Sequence, residues 1–551
     1  MFGVHPILKR LCGAAGVGAM ILFSATQAVA VSAPAPPVVD DVTAALATEQ
    51  RAGLRAAEII LSGIEGRNAL QVPVASATLV RSTGRAQALL LGHDVDDPSG
   101  GAATDASPHA AALALLARRG VSPTEEQVDE LFALDDLPDP AASALRRYLE
   151  SYLRFDAAAR RTYDADTVTS LRTRAGGPRG RGESAVGVVA AEVLSARTAL
   201  ANNAVELATE LKAFAGAKRA VIQMAPALCL DLAGGNTTYT EDCGVLIDAG
   251  GNDTYLNNAG GSNLQAGACP GFTPTGAAAL IDAGGNDSYG ADATDETTGA
   301  AVQPRSCGAN GGGYNGAGFL FDAGGNDTYI AGEEGTNGAG SLGAGFLLDV
   351  RGNDTYTAAG LGTNGGGDLG GAGLLVDGDG NDAYLGGKTS VNGGGSRGSG
   401  FLVDIGGNDT YSAGDESANG GGFVGSGFLL DAGGGNDVYT AGNDATNGGG
   451  NFGTGFLLDS GGNDAYSAGG LATNGGSTGG AGLLIDREGN DSYVAGHDAT
   501  NGGGFGAGLL FDAAGIDTYQ DPLIPGGMAK DCTIIPKGTI GAQMDAPHSG
   551  C

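Results

Sequence analysis

The chain has 551 residues, of which 103 are glycine and none is tryptophan, and its formal net charge at pH 7 is −33. This composition is unusual for an ordinary globular enzyme. A surface so acidic repels nucleic acid and anionic membranes and attracts divalent cations. We therefore expect divalent cations as partners, and neither nucleic-acid binding nor insertion into a membrane.

Residues 1–30 are predicted to form a secretory signal peptide. Lys9 and Arg10 supply a positive start, residues 11–25 are mostly apolar, and the Ala-Val-Ala sequence at 28–30 fits the small-x-small cleavage pattern. The apolar stretch is too short and too rich in glycine to span a bilayer comfortably. The expected location is therefore extracellular, either secreted or at the cell surface.

Residues 31–225 are rich in Ala, Leu, Arg and Glu, and they are predicted to form a helical domain. A good helix start lies at Ser122-Pro123-Thr124-Glu125, where Ser122 is the expected N-cap. No catalytic motif is recognisable in this domain. The predicted helical stretches are 40–63, 109–119, 140–161 and 184–217.

Six cysteines remain once Cys12 is removed with the signal peptide. An even number in an exported chain favours disulfides, although six cysteines allow fifteen pairings and free buried thiols are the alternative. Proximity in the sequence suggests the pairs Cys229–Cys243, Cys269–Cys307 and Cys532–Cys551.

Residues 226–520 repeat a unit of about 27 residues, and they contain 35 acidic residues against five basic ones. Each unit has a strand-end aspartate, which directly follows an apolar strand, and a turn aspartate five or six residues later. The strand-end aspartates are Asp248, Asp282, Asp322, Asp349, Asp377, Asp404, Asp431, Asp459, Asp486 and Asp512. The turn aspartates are Asp253, Asp287, Asp327, Asp354, Asp382, Asp409, Asp437, Asp464, Asp491 and Asp517.

Three further rows of residues keep the same period. A leucine lies two positions before every strand-end aspartate, and a tyrosine lies two positions after every turn aspartate. An asparagine recurs every 27 or 28 residues from Asn310 to Asn501. A unit of this size cannot bury a core alone, but stacked copies can. The leucine row is therefore predicted to face a narrow interior.

These features predict an α+β multi-domain protein. The N-terminal helical domain is followed by a parallel β-solenoid, like a β-helix or β-roll, of about ten 27-residue coils over 226–520. Each coil is expected to have three short faces joined by tight corners. Residues 521–551 are predicted to be a disulfide-closed C-terminal cap, since the open end of a solenoid needs a cover.

The asparagine row is predicted to be structural, because stacked Asn side chains can hydrogen-bond to one another and to turn backbones. A Thr-Asn pair repeats in several coils, for example at Thr336 and Thr363. An ordered outer surface that binds ice or a sugar lattice is therefore an alternative role.

The two rows of aspartates are the candidate metal ligands. Stacking places like charges about 5 Å apart, which costs about 1 kcal/mol per neighbour in water and several-fold more in a less polar corner. Calcium would offset this repulsion, because it takes six to eight oxygen ligands from carboxylates and turn carbonyls. The alternative is that Asn-Asp merely closes each turn through side-chain hydrogen bonds.

The glycine-rich turns resemble those of a known protein family. The segment from Ala432 to Tyr439, Ala-Gly-Gly-Gly-Asn-Asp-Val-Tyr, and the shorter Gly-Gly-Asn-Asp-Thr-Tyr turns are similar to the nonapeptide repeats of RTX, or haemolysin-type, calcium-binding proteins. The resemblance covers residues 226–520 and implies a parallel β-roll with Ca²⁺ held between consecutive turns. It implies as ligands Asp327, Asp354, Asp409, Asp437, Asp464 and Asp491.

The predicted function is that of a secreted, non-enzymatic scaffold or adhesion protein stabilised by calcium, with a surface polysaccharide or protein as its partner. The alternative is an extracellular polysaccharide-active enzyme on a β-helix. Such an enzyme needs carboxylates that break the repeat, beside basic residues. The acidic residues outside the repeat lack such partners in sequence; they are Asp295, Glu296, Glu333, Glu334, Asp415 and Glu416.

Overall fold

The structure is a computed structural model. The residues that it describes are 107–163, 191–214, 221–263, 276–290, 308–332, 335–358, 363–387, 391–415, 418–443, 445–470, 473–478, 480–496, 501–502, 507–521, 528–529, 534–537 and 541–545. The signal peptide and the predicted helix over 40–63 lie outside this part of the chain.

Four α-helices precede the strands: α1 (Pro108–Arg119), α2 (Glu125–Phe132), α3 (Asp139–Thr162) and α4 (Ala191–Phe214), with a 3₁₀ turn at Ala133–Asp136. They confirm the helices predicted over 109–119 and 140–161, and the described part of the one predicted over 184–217. None of the described helices is both long and apolar enough to cross a membrane.

The predicted N-cap of α2 is wrong by two residues. Thr124 is the N-cap, and its hydroxyl accepts the backbone N–H of Gln127 at 3.2 Å. The Gln127 side chain in turn accepts the N–H of Thr124 at 3.0 Å. A cap at Ser122 would place Glu125 instead of Gln127 at the third helical position, and this reciprocal pair of hydrogen bonds would be lost.

The rest of the described chain is a parallel β-solenoid, which confirms the predicted fold class in this region. Its largest sheet, sheet 1, has strands Val221–Met224, Leu228–Asp231, Val245–Asp248, Ala277–Asp282, Ala317–Asp322, Ala344–Asp349, Ala372–Val376, Ser399–Asp404, Ser426–Asp431, Thr454–Asp459, Ala481–Asp486, Ala507–Asp512, Ile534–Lys537 and Gly541–Asp545. Only the first strand and Ile534–Lys537 pair antiparallel.

Sheet 2 forms the second long face of the solenoid. Its strands are Thr238–Tyr239, Thr254–Tyr255, Ser288–Tyr289, Thr328–Ala331, Thr355–Ala358, Ala383–Gly386, Thr410–Ala413, Val438–Ala441, Ala465–Ala468, Ser492–Val494, Thr518–Gln520 and Met528–Ala529. The last of these pairs antiparallel, so strands from the C-terminal segment extend both long sheets beyond the final coil.

Two sheets of two-residue strands close each coil. Sheet 3 comprises Ser262–Asn263, Gly313–Tyr314, Gly340–Ser341, Gly367–Asp368, Gly395–Ser396, Gly422–Phe423, Gly450–Asn451 and Ser477–Thr478. Sheet 4 comprises Thr363–Asn364, Val391–Asn392, Ala418–Asn419, Thr446–Asn447 and Thr473–Asn474. A regular coil therefore has four strands in place of the three faces that were predicted, because the Gly-rich segment after the sheet 2 strand contains two very short strands.

The regular solenoid is shorter than predicted. From Asp327 to Asp517 the coils follow one another evenly, which amounts to about seven turns instead of ten. Before Asp327 the intervals between turn aspartates are 34 and 40 residues. The prediction counted every Asp–Tyr pair as a regular coil. It therefore overestimated the number of regularly spaced coils, because the coils before Asp327 contain insertions.

The interior of the solenoid confirms the predicted leucine row. Leucines of sheet 1 and tyrosines of sheet 2 form one buried cluster from Leu246 to Tyr519. From Tyr239 to Tyr519 the tyrosine rings stack on one another, with centroids 4.6 to 4.9 Å apart. The solenoid therefore has a narrow core made of one aliphatic and one aromatic row.

The outward face of sheet 1 forms a second core with the helices. At this junction the hydroxyl of Tyr152 donates to the carbonyl oxygen of Ala277 at 2.8 Å, and Arg119 donates to the same oxygen. Arg119 also pairs with the buried carboxylate of Asp156 at 3.2 Å. Buried polar contacts thus join α1 and α3 to the strand Ala277–Asp282.

The disulfide between Cys229 and Cys243 is present, as predicted, and its Cα atoms are 6.1 Å apart. It links the sheet 1 strand Leu228–Asp231 to the residue two before Val245, where the next strand of that sheet begins. The other two predicted disulfides lie outside the described residues.

Candidate functional site

The corner between sheets 1 and 2 brings both rows of aspartates together. Each strand-end aspartate ends a strand of sheet 1 or directly follows it, and each turn aspartate directly precedes a strand of sheet 2. Parallel pairing in register stacks the members of a row, as for Asp282, Asp322 and Asp349. All twenty predicted ligands therefore line a single corner, and each is at most 5% exposed.

Glycine is required where the chain crosses this corner. Gly324 has φ of 115°, a backbone conformation that L side chains rarely adopt. A Cβ atom at Gly325 would lie 1.5 Å from the carbonyl oxygen of Gly285 and 2.7 Å from Oδ2 of Asp327. A turn carbonyl and a carboxylate oxygen thus border the space that the missing side chain leaves.

Most strand-end aspartates have hydrogen-bond donors for both carboxylate oxygens, whereas Oδ1 of Asp486 is buried without a donor. In the coil of Asp322, Oδ1 accepts the N–H of Gly324 at 2.8 Å. Its Oδ2 atom accepts the hydroxyl of Tyr289, from the preceding coil, at 2.6 Å and that of Tyr329, from its own coil, at 3.1 Å. The tyrosine hydroxyls thus link successive coils along the strand-end row.

The turn aspartates have a donor for one oxygen only. The Oδ1 atom of Asp354 accepts the backbone N–H of Asp327 in the preceding coil at 2.6 Å, and Oδ1 of Asp327 accepts that of Asp287 at 2.5 Å. The Oδ2 atom is buried and accepts no hydrogen bond from any backbone N–H, amide or hydroxyl group. This holds for Asp253, Asp287, Asp327, Asp354, Asp382, Asp409, Asp437, Asp464 and Asp491.

The two rows approach closely enough to share a cation. In the described part of the chain, five groups of three aspartates each offer carboxylate oxygens that lie within 4.8 Å of one another. They are Asp248–Asp253–Asp282, Asp282–Asp287–Asp322, Asp322–Asp327–Asp349, Asp354–Asp377–Asp382 and Asp382–Asp404–Asp409, and four more groups of potential metal ligands accompany them. Each of these five groups combines strand-end and turn aspartates from two consecutive coils.

Burial and mutual repulsion disfavour the ionised form of these carboxyls. Burial, and then the neighbouring carboxylates, raise the pKa of Asp327 to about 10 and that of Asp382 to about 9. Burial chiefly raises the pKa of Asp354 to about 7. From Asp248 to Asp491, no Lys, Arg or His in the described part of the chain forms an ion pair with these aspartates. At neutral pH the corner therefore needs bound protons or bound cations.

Protons are a real competitor for the same oxygens. In three coils the turn carboxyl and its strand-end neighbour are close enough to hydrogen-bond once one of them is protonated. These pairs are Asp354 with Asp349, Asp437 with Asp431, and Asp491 with Asp486.

The asparagine row is structural, as predicted. Nδ2 of Asn310 donates to Oδ1 of Asn337 at 2.9 Å, and the same bond is repeated in each following coil to Asn501. Thr336 and Thr363, which precede members of this row, are buried. These threonines therefore do not display the outer lattice-binding surface that was the alternative.

The tyrosine hydroxyls are the partners that sequence reasoning missed. A signal was present, because each tyrosine follows its strand-end aspartate by a constant seven residues, or eight where the turn has an extra glycine, as from Asp431 to Tyr439.

Of the six acidic residues outside the repeat, the described part of the chain includes Asp415 alone, which accepts the N–H of Asn443 at 2.8 Å.

Comparison of the chain with protein-family models, with curated proteins and with solved structures finds no match. The function must therefore be inferred from the corner itself.

Proposed function

We propose that this protein is a secreted, non-enzymatic scaffold or adhesion protein whose solenoid is stabilised by calcium ions bound along the corner between sheets 1 and 2. The observation that carries the proposal is the row of turn aspartates with a buried Oδ2 atom that lacks a donor. A buried ionised carboxylate without a partner is strongly unfavourable. A row of such oxygens on successive coils requires compensating positive charge.

The residues present fit calcium. Each group of three aspartates offers three carboxylate oxygens, and the corner also carries turn carbonyls such as that of Gly285. Calcium accepts carboxylate and carbonyl oxygens in irregular arrangements. When bound, it would supply positive charge between coils. The ligands would be the Oδ2 atoms of the turn aspartates, with the strand-end aspartates of the same groups.

Calcium would act mainly on folding. The unfolded chain lacks a preformed site, so the free energy of ion binding adds to the stability of the folded solenoid. Together with the signal-like segment 1–30, this suggests a chain that is loose before export and compact where calcium is abundant. We also assign the helices to covering the outward face of sheet 1. The C-terminal strands pair with the last strands of both long sheets and so cover the far end of the solenoid, where strand edges would otherwise be exposed.

The test is a calcium titration of the full-length mature chain after treatment with a chelator, followed by circular dichroism and calorimetry. We expect a gain of β-structure or a rise of several degrees in the melting temperature, reversed by the chelator, with a smaller effect of magnesium. An identical melting curve with calcium and with chelator between pH 7 and 8 would contradict the proposal. Protonated carboxyl pairs would then be what holds the corner together.

A further inference from the structure

A polar cleft lies on the outer side of the turns that form the aspartate corner, where the C-terminal part of α4 meets successive coils. Its volume is about 660 Å³, which is within the range of small-ligand sites. Its polar side chains include those of Lys212, Arg351, Asn286, Asn326, Asn353 and Asp379.

Two basic side chains meet in this cleft. Lys212 comes from α4, whereas Arg351 belongs to a turn of the solenoid, whose 226–520 segment has only five basic residues. The Lys212 ammonium lies 3.6 Å from the position that a Cβ atom on Gly284 would occupy. The Arg351 side chain passes over Gly324, which belongs to the coil before that of Arg351. Neither cation forms an ion pair with a described carboxylate.

The electrostatics of the pair favour an anion between them. Partial burial, and then the charge of Arg351, lower the pKa of Lys212, whereas the carboxylate of Asp322 acts in the opposite direction. The two like charges repel each other, and an anionic ligand between them relieves that repulsion. Asp379 is the one acidic residue that lines the cleft, and it lies at the side formed by the following coil.

The asparagines add a wall of hydrogen-bond donors. Oδ1 of Asn286 accepts the N–H of Asn326 at 2.9 Å, and Oδ1 of Asn326 accepts that of Asn353 at 2.8 Å. The carbonyl oxygens of these two exposed amides are therefore engaged with the next coil. The Asn353 amide also donates one N–H to Oδ1 of Asn326 at 3.3 Å. Its other N–H and the amide N–H groups of Asn286 and Asn326 remain for a ligand, on rungs that recur about every 4.8 Å.

We propose that this cleft binds an acidic saccharide, whose carboxylate lies between Lys212 and Arg351 and whose hydroxyl oxygens accept hydrogen bonds from Asn286, Asn326 and Asn353. Among the described residues, the lining has no apolar side chain to anchor a peptide or a lipid. The donors extend over three rungs, about 10 Å, so a simple anion would leave most of them unused. The assignment rests on the adhesion part of the proposed function and not on its calcium part.

The test is isothermal titration of the full-length chain with a tetrasaccharide of galacturonic acid, at low ionic strength and a fixed calcium concentration in cell and syringe. Saturable binding is expected, at least tenfold weaker in Lys212→Gln and in Arg351→Gln. The matched control is Arg154→Gln, which removes an exposed positive charge on α3, outside the cleft. Circular dichroism of each variant shows whether the solenoid is intact.

Three outcomes would overturn the proposal. One is equal binding by the two cleft variants and the Arg154→Gln control. Another is equal binding of a neutral glucose tetrasaccharide, because the carboxylate would then be irrelevant. The third is displacement by inorganic phosphate at the same concentration as the saccharide, which would make the cleft a simple anion site. Because the acidic saccharide and phosphate can themselves bind calcium, a calcium buffer holds the free calcium concentration constant, and none of these results then depends on whether the aspartate corner binds it.

Discussion

Substitution of Asp409 by asparagine distinguishes a corner that binds calcium from one held by protons. The Asp409 carboxylate shares a group of oxygens within 4.8 Å with Asp382 and Asp404. Two unit charges at that distance repel each other by about 3.5 kcal/mol at an effective dielectric constant of 20. Asparagine removes the charge and keeps the shape of the side chain. It also retains an oxygen that can accept the Asp382 N–H, which Oδ1 of Asp409 accepts at 2.6 Å in the parent protein.

The size of the effect without calcium is limited by proton uptake. Burial, and then the neighbouring Asp404, raise the pKa of Asp409 from 3.8 to about 8. Holding this carboxyl protonated at pH 7 therefore costs about 4 kcal/mol at most, at 1.36 kcal/mol per pH unit. In chelator, Asp409→Asn is expected to stabilise the protein by up to that amount.

With calcium, the sign is expected to reverse. A site at one hundred times its dissociation constant contributes about 2.7 kcal/mol to stability, and the substitution removes a ligand from such a site. The assay is thermal unfolding of the variant and the parent, each with chelator and with millimolar calcium. Glu130→Gln, at an exposed carboxylate on α2, is the matched control. Stabilisation by Asp409→Asn in both conditions would refute the calcium assignment.

Three more predictions concern the pH dependence of the corner, a tyrosine hydroxyl of sheet 2 and the backbone conformation of a residue beside sheet 3. Burial raises the pKa of Asp354 to about 7 and that of Asp327 to about 10, so their stabilising contribution without metal is full below about pH 4. It is lost as the pH rises from about 4 to about 7 for Asp354 and from about 4 to about 10 for Asp327. With calcium, melting temperatures should instead rise with pH, and identical profiles would contradict this. Tyr329→Phe removes a hydroxyl bonded at 2.7 Å to the buried Asp349 and should lower the unfolding free energy by about 1 to 3 kcal/mol in a denaturant titration; no change would show that the row of hydroxyls is dispensable. Val424 has φ of 54° and is 39% exposed, so Val424→Asn should stabilise by about 1 kcal/mol in the same assay, and a loss of stability would contradict the assigned strain.

The stacking of the fold could be predicted because its determinants are periodic. A leucine that recurs once per coil, such as Leu347 and Leu375, must face the same interior when the coils stack. The two-residue strands of sheets 3 and 4 have no apolar residue that recurs once per coil, and two residues are too few to show an alternation of buried and exposed positions. The four-strand shape of a coil was therefore not predictable.

The composition of the corner was predictable, but its hydrogen bonds were not. The two aspartates per coil are evident from spacing. The different hydrogen bonding of the two rows, with tyrosine hydroxyls on the strand-end row and one bonded oxygen on the turn row, depends on where the Tyr329 hydroxyl and the Asp287 N–H point. The saccharide cleft was missed for another reason. Lys212 and Arg351 are far apart in sequence, and only the docking of α4 on the coils brings them together.

The most direct test of the central claim is the number of calcium ions bound per chain, measured by equilibrium dialysis and elemental analysis of the purified protein at pH 7.5. We predict several ions per chain, because five groups of three aspartates lie along the corner in the described residues. We also predict fewer ions in a variant with Asp382, Asp409 and Asp437 all changed to asparagine. Less than one ion per chain, with the solenoid still folded, would contradict the calcium assignment.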